Sequence, residues 1–419
     1  MNKHKIIKQS KKLLFSGIAA AVLGMICVTT KPVQAATVDG DYPSTNGVNT
    51  KEAELNYQAK NNAPAVKNDS AKFDSTKATK SDTIKTGEWM GIKVSFNTDT
   101  HTLSLGGGTI TNYPVNIGGM VTDLHLLRVD WDDLTYVFNA NDVQTVNFTD
   151  HLTIKGSASQ WFAQYRNLKT INGFENVDLT QVTDMSSMFM YCESLENLDL
   201  NKIFQPGKTY SVTDTSHMFD GCASLTNLDL SNLDTSNVTD MSYMFNGCSK
   251  LTQLDVSNFN TANVNNMESM FSFDSQVTAI KGLDKFDTSK VQNMARMFFN
   301  CINLKELDLS HFNTSNVRLF AWMFKSCKNL NTLNISNFDM SNAMLKMNMF
   351  TGLSNLQTLV LGKNVVMANT GLDTPGTWMN MGDKSQKARF KKGKFNWTSQ
   401  ELMSNYNGNI NYDTYTIVK

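Results

Sequence analysis

Histidine, cysteine and long apolar runs are scarce in this sequence, and each scarcity removes a class of explanation. Six histidines are spread over 419 residues. Besides His4 they are His101, His125, His151, His217 and His311, and no two are spaced as a zinc-ligand pair. His217 and His311 also fall at different phases of the repeat described below, so stacking does not join them. The cysteines number six, of which Cys27 lies near the N-terminus; an odd remainder of five, thinly spread, is no disulfide scaffold. A nucleophilic cysteine needs a partner base, whereas these occupy fixed repeat positions. Gly106-Gly107-Gly108 lacks the lysine and hydroxyl residue of a phosphate loop and reads as a turn. No catalytic residues, no metal and no cofactor are expected, and the chain is not expected to be an enzyme. Beyond residue 28 no apolar stretch is long enough to span a bilayer.

What is present begins with a basic stretch, Lys3, Lys5, Lys8, Lys11 and Lys12, then an uncharged run over 13–28, then Val33-Gln34-Ala35. That order predicts a secretory signal peptide at 1–35 and hence a secreted, extracellular protein. A lipid anchor at Cys27 is disfavoured by Ile26 before it. The leader carries six lysines and no acids, which leaves 32 basic against 38 acidic residues, a net −6. Phosphate neutralisation needs a basic footprint, so nucleic acid is not an expected partner. The final Thr416-Ile417-Val418-Lys419 shows neither sorting motif nor apolar tail, so a C-terminal anchor is not expected.

Residues 36–85 are rich in Asn, Lys, Ala, Thr, Ser and Asp, too polar to offset ordering entropy, and predict a flexible linker. A β-rich capping region is expected over 86–160. Trp89, Ile92, Val94 and Phe96 alternate before the turn Asn97-Thr98-Asp99-Thr100, and Leu103 and Leu105 alternate after it, as in a hairpin.

Repetition is the strongest signal. Phenylalanine recurs at 189, 219, 245, 271, 298, 324 and 350, in steps of 30, 26, 26, 27, 26 and 26, with a degenerate first coil at Trp161-Phe162. Leu225, Leu228, Leu230 and Leu233 follow L-x-x-L-x-L-x-x-L, repeated by Leu251, Leu254, Val256 and Phe259. The L-x-L core has strand period. Val238, Met241 and Met244-Phe245 have spacings of three and four that suit a helical turn. The expected fold is an α/β repeat solenoid: a leucine-rich-repeat-like stack of about 26-residue coils with short parallel strands over 161–361, and a small C-terminal cap over 362–419. Cysteine falls three residues after the phenylalanine, at 192, 222, 248, 301 and 327, with Asp274 and Leu353 as exceptions. Buried thiols fit this column, although stacking alone would also permit bridges.

Three features are candidate binding sites. Asp199, Asp229, Asp255 and Asp308, continued by Asn334, form an acidic column on the strand face. It either invites Ca²⁺ or consists of solvated, locally bonded side chains. The polar loop Asp234-Thr235-Ser236-Asn237 and its equivalents suit side-chain-to-backbone turns and leave a hydrogen-bonding ladder. Lys384, Lys387, Arg389, Lys391, Lys392 and Lys394 form a basic cluster beside Trp378 and Trp397. It is either a solvated face of the cap or an electrostatic anchor on anionic cell-wall polymers.

The unit L-x-x-L-D-L-S-x-F-x-T-S-N-V-x-x-M-x-x-M-F-x-x-C, seen from Leu225 through Cys248, resembles the BspA-like leucine-rich repeat surface proteins of bacteria, over roughly 171–361. That resemblance implies a surface or secreted binding protein, in some members an adhesin for a host matrix protein, a cell-surface protein or glycan. It brings no catalytic residues. A structural wall coat without a specific ligand is the alternative.

Overall fold

The computed structural model describes residues 83–89, 91–111, 126–131, 134–382 and 391–418. The expected signal peptide and nearly all of the expected linker lie outside the described residues. Strand β1 (Ile84–Trp89) takes in the last two residues of the stretch read as linker.

Coiling begins earlier than the repeats do. The alternating residues around the Asn97 turn form β2 (Ile92–Asn97) and β3 (Thr102–Leu105), an antiparallel hairpin. After β4 (Gly108–Thr111) come the paired strands β5 (Leu126–Trp131) and β6 (Leu134–Asn139), then β7 (Thr145–Phe148), β8 (Leu152–Ser157), β9 (Thr170–Asn172) and β10 (Val177–Asp184). β3, β7 and β9 run parallel, with Leu103, Val146 and Ile171 in register. β4, β8 and β10 run parallel beside them. The N-terminal β-rich region is therefore the start of the same stack, already divided into two walls.

The first wall continues through the L-x-L cores: β11 (Asn197–Leu198), β12 (Asn227–Leu228), β13 (Leu254–Asp255), β14 (Ile280–Lys281), β15 (Glu306–Asp308), β16 (Thr332–Ile335) and β17 (Thr358–Leu361). Leu307, Leu333 and Leu359 share one register. The second wall continues from Asp184 as single parallel bridges through Asp214, Asp240, Asn266, Asn293, Leu319 and Leu345. The result is a β-solenoid of about eight ~26-residue coils.

The helical turn expected at Val238–Phe245 is absent; this segment is a staircase of turns. The N–H groups of Met241, Tyr243, Phe245 and Gly247 donate to carbonyls of the next coil at 2.8–3.0 Å. Those of Met244, Asn246 and Cys248 donate three residues back in their own coil. Two left-handed residues per coil enforce this, Tyr243 (φ 57°) and Gly247 (φ 74°) here, with equivalents from Gln160 and Gln164 to Asn348 and Gly352. A left-handed residue between Met241 and Met244 is incompatible with a helix. The spacing of three and four comes from consecutive turns.

Inside, the repeating phenylalanines stack into a spine. Neighbouring rings from Phe162 to Phe350 lie 5.5–5.9 Å apart and within 17° of parallel. Beside it runs the thiol column. All five described cysteines are free and buried, and each donates its S–H to the carbonyl of a spine residue one coil back, Cys222 Sγ to Phe189 O at 3.1 Å and Cys327 Sγ to Phe298 O at 2.9 Å. Burial pushes the Cys327 thiol up to about 12 and holds the others far above their ordinary range. At the open end, β20 (Asp413–Val418) pairs antiparallel with β17, and β18 (Thr377–Asn380) and β19 (Asn396–Thr398) extend the sheet beside α1 (Ser399–Asn405) and α2 (Gly408–Asn411). Trp378, fully buried, donates its Nε1–H to Ser399 Oγ at 3.0 Å. The last coil thereby loses its exposed parallel edge.

Asp274 is the anomaly of the core. It replaces cysteine in the column, is fully buried, and neither carboxyl oxygen has a hydrogen-bond partner. Desolvation raises its pKa well above the carboxylate range. A thiol reagent is expected to find the five column cysteines silent in the native protein and to titrate all five after denaturation; fast native reaction would contradict their burial. Asp274→Cys should stabilise the stack by about 1–3 kcal/mol even near pH 4, where the carboxyl is protonated, by removing an unsatisfied buried group. Because the folded pKa lies above the unfolded value, this penalty is smallest below about pH 4 and grows by about 1.4 kcal/mol per pH unit as pH rises. Denaturant melts at pH 4 and pH 6 check it, and an equal difference at both would show an ionised, compensated carboxylate.

Candidate binding surfaces

On the strand wall the predicted acidic residues stand outward, between buried leucines. Each is occupied locally. Asp199, Asp229, Asp255 and Asp308 accept the backbone N–H two residues on, from Asn201, Ser231, Ser257 and Ser310 at 2.9–3.1 Å. Asn334 does the same for Ser336. The column is also interrupted, since Lys281 pairs in register with Asp255. Its Nζ donates to Asp255 Oδ2 at 2.7 Å. That hydrogen bond holds the Asp255 carboxyl down to about 2, while the Ser231 N–H lowers that of Asp229. Among the described residues no group of three or more His, Cys, Asp or Glu is placed to hold a metal ion.

The polar loop is a structural ladder. Thr235, Thr261, Thr288 and Thr314 are buried, and their hydroxyls donate to the next coil's carbonyls at 3.0–3.1 Å. Asn263, Asn316 and Asn342 donate Nδ2 to serine carbonyls of the coil before at 2.6–2.8 Å. Where these loops meet the second wall, a polar groove of about 640 Å³ crosses successive coils, lined by Asn263, Asn265, Lys290, Gln292, Asn316, Arg318 and Asn342. No carboxylate lines it.

Of the basic cluster, Lys384, Lys387 and Arg389 lie outside the described residues. Lys391, Lys392 and Lys394 are exposed on the turn before β19. That turn is pinned by Asn380, whose buried side chain donates to Lys391 O and Asp413 Oδ2 and accepts from the Phe395 N–H. The acidic column ends at Asp308 on β15, two strands before β17, while the basic turn belongs to the cap built on β17.

The sequence reading passed over the second wall. There left-handed residues at 217, 243, 296 and 322 project outward, and Glu268 beside the buried Ser269 joins them into a strip. His217 stacks on Tyr243 at 4.4 Å, Tyr243 donates its hydroxyl to Glu268 at 3.1 Å, Glu268 pairs with Arg296 at 3.0 Å, and Arg296 lies 4.4 Å from the ring centre of Trp322. Phe273 packs edge-on to Phe299 at 5.0 Å. Burial first, then the Glu268 charge, raises the Tyr243 pKa. The available signal was the one residue of M-x-x-M-F that varies most, 217, 243, 296 and 322, whose left-handed backbone no side-chain pattern discloses.

The acid caps and their neighbours yield a prediction. Asp229→Ala should lower stability by about 1 kcal/mol, and Ca²⁺ against EDTA should leave the melting temperature unchanged. The folded pKa values of Asp229 and Asp255 are depressed, so their contribution is present above about pH 4 and is lost as pH falls through the folded values. A Ca²⁺-dependent rise in melting temperature that Asp229→Ala abolishes would make the column a metal site instead.

A family model described as Mycoplasma protein of unknown function, DUF285, matches residues 156–274 and again 272–368. No curated protein matches significantly. Among solved structures the chain is similar to a leucine-rich repeat protein from Bacteroides ovatus, at 16% identity over 64% of this chain and 80% of that one, TM-score 0.25. It is also similar to a leucine rich cell surface protein from Faecalibacterium prausnitzii, at 14% identity over 68% and 93%, TM-score 0.23. A chain of the Toll–Spatzle complex of Drosophila follows at 13% over 67% and 50%, TM-score 0.19. Likenesses this loose carry no functional argument.

Proposed function

The chain belongs to the DUF285 family, and from that premise we propose that it is an exported, non-enzymatic protein that recognises protein or glycan ligands over the faces of its solenoid. The observation that carries this is how the polar groups divide. Backbone and loop groups are consumed between coils, as the Thr235 and Asn263 ladders show, while outward side chains stand in fixed rows on both walls. Such rows make a broad, preorganised contact surface whose chemistry changes from coil to coil. No helix of the described residues is long and apolar enough to cross a membrane.

The finer parts of this reading rest on the sequence. They are a signal peptide at 1–35, a linker over 36–85, a β-rich cap over 86–160, repeats over 161–361 that resemble the BspA-like type, and a terminal cap over 362–419. The protein then acts outside the cell, on a host matrix protein, a cell-surface protein or a glycan. In this reading the outward carboxylates of Asp199, Asp229, Asp255 and Asp308 meet ligand on one wall. The basic turn holds the protein to anionic cell-wall polymers.

The exported chain, from residue 36, should retain one or a few ligands on arrays of extracellular-matrix proteins and glycans; uniform silence would favour a wall coat without a specific ligand. Retention on whole cells tests the basic turn. Because Asn380 is part of the cap core, charge reversal at Lys391, Lys392 and Lys394 is the fitting variant rather than deletion. It should release the protein at physiological salt by several fold, and unchanged retention would remove the anchor.

A further inference from the structure

The second wall changes character along its length. In its early coils the turn segments 182–195, 212–225 and 238–251 carry Asp184, Asp214 and Asp240, with Glu193 paired to Arg166 and Asp220 buried against His217 and Asn246, and Lys250 as their one cation. In its last coils the segments 291–304, 317–330 and 343–356 contain no acidic residue and carry Arg296, Arg318, Lys325, Lys328 and Lys346. Exposed apolar side chains share this wall, among them Phe273 (40% exposed) near its middle and Met344 (64%) near its end.

One column shows that the change is not a demand of the fold. Asp184, Asp214, Asp240, Asn266 and Asn293 each accept the N–H two residues on, at 2.8–3.1 Å. Leu319 and Leu345 occupy the same bridging position and cannot cap anything. Leu345 is also exposed. Two coils thus give up a local hydrogen bond for leucine, half-buried at 319 and exposed at 345. At the other end, burial and then the neighbouring Asp240 and Asp184 charges raise the Asp214 pKa.

We propose that this wall is a dimer interface, on which a second copy of the chain lies antiparallel so that the acidic early coils of each copy meet the basic, apolar late coils of the other. A wall with opposite charge at its two ends is self-complementary under a two-fold axis across its middle, which is the commonest symmetry of homo-oligomers. The axis falls near Phe273 and Phe299, the midpoint between the Asp184 and Leu345 coils, and sets the exposed Phe273 ring against the partner copy. Met344 and Leu345 then lose their exposure against the early coils. Seven coils at about 4.8 Å give a wall of about 34 Å, enough for an interface of about 1,200 Å² in total, at the lower end of the stable range. A polyanion would match the late coils alone and leave the acidic end unexplained. This inference does not depend on the identity of any external ligand.

Sedimentation velocity on the exported chain at about 50 mM salt should show twice the monomer mass, shifting toward monomer at about 0.5 M as ion pairs are screened. The variant Arg318→Glu, Lys325→Glu, Lys346→Glu, with an unchanged circular dichroism spectrum, should dissociate at least tenfold more readily. A second readout uses the silence of the buried thiols. Phe273→Cys, beside the two-fold axis, should give a disulfide-linked dimer on mild oxidation, whereas Thr252→Cys on the opposite wall should not. A monomer at all concentrations would overturn the proposal, even one that binds polyanions or anionic vesicles. So would a dimer indifferent to salt and charge reversal, or equal cross-linking from Thr252→Cys.

Discussion

Everything in this molecule depends on the contact between one coil and the next at the phenylalanine spine. A ring at each of eight levels stacks on its neighbours at 5.5–5.9 Å, a separation at which aromatic pairs contribute about 0.5–1.5 kcal/mol beyond burial. The carbonyls of seven of these residues, Phe162 to Phe324, are tied into the same joint. They accept a thiol hydrogen from the following coil or a turn N–H from their own. The ring stacking and the thiol bonds do not exist within an isolated coil. Stability is therefore a sum over interfaces, and an end without an interface must be covered, as β20 covers β17.

The spine also explains a backbone that would otherwise be unfavourable. Two left-handed residues per coil, mostly not glycine, each cost on the order of 1–2 kcal/mol in isolation. They persist because only that turn geometry alternates N–H groups between the home coil and the next one. Gly221, Gly247 and Gly352 relieve the strain at one of the two positions, and Tyr191, Phe273, Asn300 and Ser326 accept it. At the other position the residue is never glycine, and except at the buried Ser269 its side chain reaches the surface. The strip from His217 to Trp322 is a by-product of that geometry.

How much of this could be read in advance follows from which quantity each feature depends on. The period, the inward leucines, the spine and the thiol column depend on side-chain type at fixed spacing, and they were legible. The turn staircase was not. Spacings of three and four arise from a helix or from consecutive turns, and the deciding sign of φ at Tyr243 has no signature in a tyrosine. The continuity of β3, β7 and β9 with the repeats escaped for a related reason: those coils keep the register of Leu103, Val146 and Ile171 but not the motif. The acidic column was legible residue by residue, yet Lys281 at the skipped coil was not counted, because its segment lacks the L-D-L pattern. The buried threonine ladder looked like a turn signal because the same loop supplies both.

In a stack of this kind the repeat states what the fold requires, and information about anything else resides in departures from it. Some departures are explained internally. Leu353 fills the thiol column as a hydrophobe, and the 203–210 insertion buries Phe204 against Tyr210, whose hydroxyl donates to Ile203 O. Others have no internal account: Asp274 is buried without a partner, and Leu319 and Leu345 discard a cap that five preceding coils keep. The first weakens the joint between two levels, and the second places apolar surface in water. Neither improves the packing of the chain that bears it.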